Sequence, residues 1–120
     1  MAKQPDVITI GDIVTDAFIK LIDDEAVTYQ NDEGKWLAMK FATKLPFDHA
    51  EILEAVGNAA NAAVAMSRLG LETAFVTNVG DDAHGRDMIS SLHKDDIDTR
   101  FVRINPKKKS NYHYVLWYKE

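Results

Sequence analysis

The chain alternates short apolar runs of strand character with helical segments, and this alternation limits the folds open to it. The first run, Val7-Ile8-Thr9-Ile10, is β-branched and stops at Gly11-Asp12. Residues 74–77 and 101–104 form later runs of the same kind. The order predicts a β-α-β-α-β core, which is an α/β fold with a parallel sheet and right-handed crossovers. Ligands of open α/β sheets bind just past the strand ends.

The helical segment between the first two runs is AVGNAANAAVAMSRLG, residues 55–70, in which Arg68 is the only charged residue. Its alanines predict a core helix from residue 58 to residue 69, with Gly70 in the place of a C-cap. Asn58 and Asn61 lie in the first turn, where an asparagine could cap the helix or contact a ligand. A second helix, capped by Asp81 or Asp82, is predicted around residues 88–92.

Residues 18–45 have a different pattern of residue types, with short apolar clusters separated by acidic turns. Asn31-Asp32-Glu33-Gly34 predicts a hairpin turn, so we expect a small antiparallel sheet here. Residues 46–53 are predicted to be a linker or helical turn. Residues 111–118 predict a strand that reaches the end of the chain without a turn or partner, so we expect this chain to be part of a longer protein.

Composition excludes several classes of protein. Nineteen acidic against fourteen basic residues give a net charge of −5, the opposite of a nucleic-acid-binding surface, and residues 107–109 form the only basic run. The chain has no cysteine, its first residues lack the apolar core of a signal peptide, and no apolar stretch reaches membrane-spanning length, so we expect a cytoplasmic protein without a membrane partner. Its four histidines show no paired metal-ligand spacing, so no metal site is expected.

Gly57, Asn61, Ala63, Gly70 and Gly80 follow one another at a spacing that resembles the N-terminal signature of the ribokinase-like, or phosphofructokinase-B (PfkB), carbohydrate kinases. The family has two adjacent small residues at the start of the signature, and Val56 occupies the first of these positions. The resemblance covers all 120 residues. It includes residues 79–85, which are similar to the glycine-aspartate turn of the family.

The resemblance implies a ribokinase-like three-layer α/β/α fold, of which residues 1–120 are the N-terminal part of a single domain. Residues 17–45 and 110–120 would form the family's β-lid, and two such lids would clasp each other in a homodimer. The turn after the first strand, residues 11–16, is similar to the family's substrate-binding turn. Val14 stands where ribokinases proper carry an asparagine.

The same resemblance implies a set of substrate-binding residues. Asp16 and Asn61 would bind sugar hydroxyls, although either could serve its own turn or helix instead, and Asp12 could simply close the turn after the strand. The full set of predicted substrate-binding residues is Asp12, Asp16, Gly57, Asn58 and Asn61, with Tyr112 and Tyr114 as candidate lid contacts. Gly70, Gly80 and Gly85 are predicted to be structural.

The implied activity is transfer of the γ-phosphoryl group of ATP to a sugar hydroxyl, with Mg²⁺ carried by the nucleotide. The family's second signature, a Gly-Ala-Gly-Asp stretch with the catalytic base, does not occur in this sequence. We therefore expect no catalytic residue and no ATP site here, and no turnover by this chain alone. A nucleoside kinase of the same family and a non-enzymatic sugar-binding or dimerisation module are the alternatives. A Rossmann oxidoreductase is disfavoured, because the glycines do not follow G-x-G-x-x-G.

Overall fold

The computed structural model describes residues 3–22 and 26–118. The elements follow in the order β1 (Val7–Ile10), β2 (Val14–Leu21), β3 (Ala26–Asn31), β4 (Gly34–Met39), β5 (Phe47–Val56), α1 (Asn58–Arg68), β6 (Thr73–Gly80), α2 (Ala83–Lys94), β7 (Val102–Asn105) and β8 (Tyr112–Trp117). They divide into two compact units. The core unit comprises Met1–Asp16 and Leu53–His113, and the second unit comprises Ala17–Ile52 and Tyr114–Glu120.

The core unit contains a parallel sheet in the order β1-β6-β7. Val7 pairs with Thr73 at one interface, and Thr77 pairs with Val102 at the other. Helix α1 contacts β1 and β6, and α2 contacts β6. The parallel β-α-β-α-β arrangement predicted from the alternation is confirmed, and it brings the carboxyl ends of the three strands to one edge of the sheet.

Small and large apolar side chains interlock in the interior of the core unit. Phe75 on β6 and Met88 and Leu92 on α2 are fully buried, and Ala60 and Ala63 on α1 are equally inaccessible. Alanines on this face let α1 approach the sheet closely, which explains why a helix with so few large side chains is stable. The predicted core helix is confirmed, because its alanines bury one face of the sheet.

The two ends of α1 have different chemistry. Its N-cap is Gly57, which supplies no side chain, so the alternative in which Asn58 caps the helix is wrong. At the other end Gly70 has φ +93°, and its N–H donates to the Ser67 carbonyl over 2.9 Å. Gly70 thus terminates α1 as predicted, through the left-handed conformation that glycine adopts without strain.

The second unit contains the predicted hairpin. β3 and β4 pair antiparallel from Ala26 opposite Met39 to Asn31 opposite Gly34, which confirms the turn at residues 31–34. Tyr29 and Trp36 stack across the two strands with ring centroids 6.3 Å apart. Small antiparallel structure in this part of the chain was expected, and a cross-strand aromatic pair of this kind stabilises it.

A further sheet has the strand order β5-β2-β8. The prediction of a linker or helical turn at residues 46–53 is wrong, because those residues belong mostly to β5. The first eight residues of β5 are exposed, so no buried face produces an alternating pattern, and pairing with β2 fixes the conformation instead.

Across the described residues, no helix is long and apolar enough to cross a membrane.

Candidate functional site

An open cleft of about 700 Å³ lies in the core unit where β1 ends and α1 begins. Three of the predicted substrate-binding residues, Asp12, Gly57 and Asn58, line it together. The complete lining is Thr9, Ile10, Gly11, Asp12, Gly57, Asn58, Ala59 and Ala62. This position is where a parallel α/β sheet is expected to bind a ligand.

Two glycines allow the helix to start this close to the strand. Gly57 has φ +113°, and a Cβ there would lie 3.3 Å from the Asp12 carbonyl oxygen. A Cβ at Gly11 would lie 2.7 Å from the Cβ of Ala59, which is closer than two nonbonded carbon atoms approach each other. A side chain at either position would therefore push α1 away from the end of β1 and alter the cleft.

The cleft offers both hydrogen-bond donors and acceptors. The first N–H groups of α1 have no partner within the helix, and Gly57 supplies no capping side chain. Thr9 is 8% exposed, and its hydroxyl has no partner among the described residues. Asp12 adds a carboxylate acceptor. Closely spaced donors and acceptors of this kind match a polyhydroxy ligand, because each hydroxyl can donate and accept.

Asp12 is held by a distant part of the chain. The side-chain amide of Asn111 donates to Asp12 Oδ1 over 2.9 Å. Asp12 also lines a second cleft of about 360 Å³, which includes Thr77 and Asn78 in the second half of β6. Asn105, at the end of β7, donates to Asn78 Oδ1 over 3.2 Å. Polar side chains thus line the carboxyl edge of the whole parallel sheet.

Asp16 lies outside the lining of both clefts. Its Oδ1 is 3.3 Å from Nδ1 of His113, and the two side chains are 25% and 59% exposed. Asp16 and His113 both belong to the core unit. The structure therefore pairs the predicted sugar-binding aspartate with a histidine that the sequence had not indicated as its partner.

Asn61 also lies outside the lining of the cleft at the end of β1. It lines a different cavity of about 360 Å³, together with Glu54, Arg68 and Asp95. Arg68 Nε pairs with Asp95 Oδ1 over 2.8 Å beside it. Its neighbour Ala62 lines the cleft at the end of β1, whereas Asn61 lines this other cavity, because successive residues of a helix project in different directions. Its substrate role stays a prediction.

The two candidate lid tyrosines belong to different units. Tyr112, in the core unit, packs against His84 with ring centroids 4.5 Å apart and an interplanar angle of 50°. Tyr114, in the second unit, is 69% exposed. Their contact with a substrate stays a prediction.

The acidic turn before α2 has a structural role. Of the two predicted caps, Asp81 and Asp82, the N-cap of α2 is Asp82: its Oδ1 accepts from Gly85 N over 2.8 Å and from the Ser110 hydroxyl over 2.7 Å. Oδ2 accepts from the Ser110 N–H over 2.8 Å. These bonds, led by the backbone N–H of Ser110 and then that of Gly85, hold the pKa of Asp82 below its ordinary value.

The carboxylate at the start of α2 has its hydrogen-bonding capacity taken up by the protein itself. Oδ1 of Asp82 caps α2 and accepts from the Ser110 hydroxyl, and Oδ2 accepts from the Ser110 N–H. Among the described residues, no group of three His, Asp or Glu side chains could hold a metal ion. The sequence also lacks the Gly-Ala-Gly-Asp stretch.

Four polar residues near the strand ends were not predicted as site residues: Thr9, Asn78, Asn111 and His113. Thr9 carried a signal, because it is the one polar residue of its strand and points to the opposite face from Ile8 and Ile10. Asn78 lies near the end of the second parallel strand, where the same edge argument applies. Asn111 and His113 carried no local signal, because their partners are far away in the sequence.

Comparison with known proteins gives a consistent result. The model of the pfkB family carbohydrate kinases matches residues 52–120. A fructokinase of Klebsiella pneumoniae is 34% identical over 68 residues, which are 56% of this chain and 22% of that protein. A fructokinase of Vibrio alginolyticus is 37% identical over 68 residues, again 56% of this chain and 22% of that protein. The aligned part of the chain thus spans about a fifth of the length of these relatives.

Solved structures extend the likeness to nearly the whole chain. A ribokinase of Arabidopsis thaliana, solved with ribose and ATP, superposes with a TM-score of 0.72 at 19% identity, over 95% of this chain and 32% of that one. A nucleoside kinase of Methanocaldococcus jannaschii gives 0.69 at 17% identity, over 93% of this chain and 32% of that one. These likenesses confirm the predicted ribokinase-like α/β fold. With a family model matching more than half of its residues, the chain belongs to the pfkB family of carbohydrate kinases.

Proposed function

We propose that this chain is the N-terminal, sugar-binding part of an ATP-dependent kinase that transfers the γ-phosphoryl group of ATP to a sugar hydroxyl. The observation that carries the proposal is the cleft at the end of β1, where the Asp12 carboxylate lies beside the uncapped N-terminus of α1. A sugar hydroxyl placed there would donate to the carboxylate and accept from a helix N–H. The fructokinase relatives favour a neutral hexose such as fructose.

The chain's own contribution would be to bind the sugar and fix the orientation of its hydroxyls. Asp12 and Asp16 would accept from two hydroxyls, and Asn58 and Asn61 would add amide contacts. Orientation of this kind lowers the entropic part of the barrier to phosphoryl transfer. Gly57 would keep the helix N–H groups close to the ligand.

We further propose that the catalytic base and the ATP site lie in sequence outside this chain. The proposal is supported by the capping role of Asp82 and by the missing Gly-Ala-Gly-Asp stretch. Bound ATP, with its Mg²⁺, would supply the phosphoryl group. The chain alone would then bind a sugar without turning it over. We place the protein in the cytoplasm, because a composition without cysteine is typical of a reducing compartment.

Isothermal calorimetry on the full chain tests the proposal. Fructose, ribose, adenosine and ATP are titrated separately, and ADP release is measured in parallel. We expect a saturable heat of binding with a sugar, no heat of binding with ATP, and no ADP above background. The Asp12→Ala variant should lose the heat of sugar binding. Asp81→Ala, at an exposed aspartate beside α2, should retain it. Absence of binding by every sugar and nucleoside would contradict the proposal.

A nucleoside substrate is the second candidate, and one observation favours it. Tyr112 is a half-buried aromatic side chain in the core unit, packed against His84, and an aromatic face is what a nucleobase would stack on. Tighter binding of adenosine than of fructose, lost in Tyr112→Ala, would select the nucleoside kinase. Unchanged fructose binding by Tyr112→Ala would select the sugar kinase.

We also propose that the protein forms a homodimer through the second unit. Val27, Tyr29 and Trp36 are 63%, 51% and 43% exposed, and they share one face of the β3–β4 hairpin. Such an apolar face is typical of an interface. In sedimentation velocity, Val27→Lys should shift the wild-type dimer to monomer, whereas Gln30→Lys, on the opposite face, should not. A monomeric wild type would contradict the dimer. A wild type that dimerises but binds no sugar would favour the non-enzymatic dimerisation module.

A further inference from the structure

We infer that Asn111 and His113 are positioning residues for the two candidate sugar-binding carboxylates, Asp12 and Asp16. The inference rests on the proposed function for its purpose, because the carboxylates are proposed to accept from sugar hydroxyls. It assigns a role to the chain segment that precedes and begins β8, a segment that the kinase signature does not include. The residues concerned all belong to the core unit.

The contacts form a consistent set. Asn111 Nδ2 donates to Asp12 Oδ1 over 2.9 Å, and His113 Nδ1 lies 3.3 Å from Asp16 Oδ1. The main chain of the same segment is fixed between them, because the Asn111 carbonyl accepts from Thr15 N over 3.1 Å. Residues two apart in extended chain project to the same side, so one short segment serves both aspartates.

Each contact engages one oxygen of its carboxylate. A surface aspartate otherwise rotates among several side-chain rotamers, and a ligand must then stop that rotation at an entropic cost. The hydrogen bond to Asp12 Oδ1 and the ion-pair contact with Asp16 Oδ1 each restrict the side-chain rotamer and direct Oδ2 to a defined place. The chain would thereby prepare both acceptors before the sugar arrives, which is the usual gain from preorganisation.

The two partners differ in kind. Asn111 is a neutral amide donor, so its bond to Asp12 is independent of ionisation of the amide. His113 instead brings an imidazole nitrogen, Nδ1, to ion-pair distance from Asp16 Oδ1, at 3.3 Å. An asparagine side chain places Nδ2 close to where histidine has Nδ1, so His113→Asn keeps the donor and removes the ring. This replacement separates the donor from the bulk of the imidazole.

Side-chain rotamers test the inference directly. Three-bond couplings that report χ1 of Asp12 and Asp16 are measured by NMR on the full chain. In the wild type we expect a single χ1 rotamer for each aspartate. The χ1 of Asp16 should average over several rotamers in His113→Ala, and that of Asp12 should do so in Asn111→Ala. In His113→Asn the single rotamer of Asp16 should return. His49→Ala is the matched control, because it removes an equally exposed histidine that pairs with Asp48 over 3.2 Å in the second unit.

Sugar affinity supplies the second readout. His113→Ala and Asn111→Ala should each weaken fructose binding by about tenfold, because the sugar must then stop the rotation of a free carboxylate, whereas His113→Asn and His49→Ala should bind as the wild type does. Unchanged couplings in the alanine variants, or changed couplings with unchanged affinity, would overturn the inference. A wild type that binds no sugar would instead contradict the proposed function, while the couplings would still decide whether the aspartates are positioned.

Discussion

Asp82 and Ser110 are joined by two hydrogen bonds, of 2.8 Å to the Ser110 N–H and 2.7 Å to its hydroxyl, across 28 residues of sequence. The Ser110 hydroxyl also accepts from Gly80 N over 2.9 Å. One aspartate therefore caps α2 and ties the loop after β7 to the end of β6. The loop leads directly to Asn111, so this connection also fixes the segment that contacts Asp12.

Removing the Asp82 carboxylate should destabilise the protein. Asp82→Ala leaves the N–H groups of Gly85 and Ser110 without their acceptor, and we expect a loss of about 2–3 kcal/mol in the free energy of unfolding. The control is Asp81→Ala, since the Asp81 side chain is exposed and its Oδ1 lies 3.5 Å from Arg86 Nη1. Denaturant titrations should show less than about 0.5 kcal/mol for the control. Equal losses in both variants would contradict the capping role.

The same carboxylate predicts a dependence of stability on acid. Its folded-state pKa is lowered by bonds from Ser110 and Gly85, so its contribution is fully present above the unfolded value of about 3.9. The contribution is lost as pH falls through the folded value. The wild-type unfolding midpoint should thus decline more steeply below about pH 4 than that of Asp82→Asn, which cannot titrate at this position. Parallel midpoints across this range would contradict the assignment.

Gly85 should respond to substitution in the direction opposite to helix propensity. Alanine in a first helical turn is ordinarily more favourable than glycine. A Cβ at Gly85 would lie 2.3 Å from the Gly80 carbonyl oxygen, so Gly85→Ala should cost about 1–3 kcal/mol in unfolding free energy. Asp87→Ala, at an exposed position of α2, provides the control and should change stability little. Stabilisation by Gly85→Ala would show that the backbone contact does not exist.

Asp96 is a site where the protein can be stabilised. It has φ +55° directly after α2, where its N–H donates to the His93 carbonyl and the Ile97 N–H donates to the Leu92 carbonyl, each over 3.1 Å. Glycine adopts this left-handed conformation without strain, so Asp96→Gly should raise the unfolding free energy by about 0.5–1 kcal/mol. Asp96→Val should lower it by a similar amount, about 1 kcal/mol. Thermal unfolding of both variants checks the prediction, and a reversed order would contradict it.

The parallel core could be predicted because its elements are local and periodic. The β-branched run at Val7 and the alanine-rich helix ending at Gly70 each carry their own signal, and α/β alternation restricts how they connect. β5 could not be predicted in this way. Its first eight residues are exposed and include Asp48, Glu51 and Glu54, so its conformation depends on pairing with a strand elsewhere in the chain.

The candidate site divides along the same line. Asp12, Gly57 and Asn58 could be found because strand ends and helix starts are recognisable, and the structure places them in one cleft. Asn61 follows the family spacing yet lines another cavity, since a helix turns its residues through successive faces. Asn111 lies 99 residues after Asp12 in the sequence, and His113 follows it closely. Because these contacts join distant parts of the chain, no local sequence pattern predicts them.

The central claim is that the cleft at the end of β1 binds a sugar. Titration of ¹⁵N-labelled chain with fructose, followed by two-dimensional NMR, tests it residue by residue. The account predicts saturable shifts of the amide signals of Gly11, Asp12, Gly57 and Asn58, which are lost in Asp12→Ala and retained in Asp81→Ala. Signals at these positions that stay fixed at every fructose concentration, or that move equally in Asp12→Ala, would contradict it.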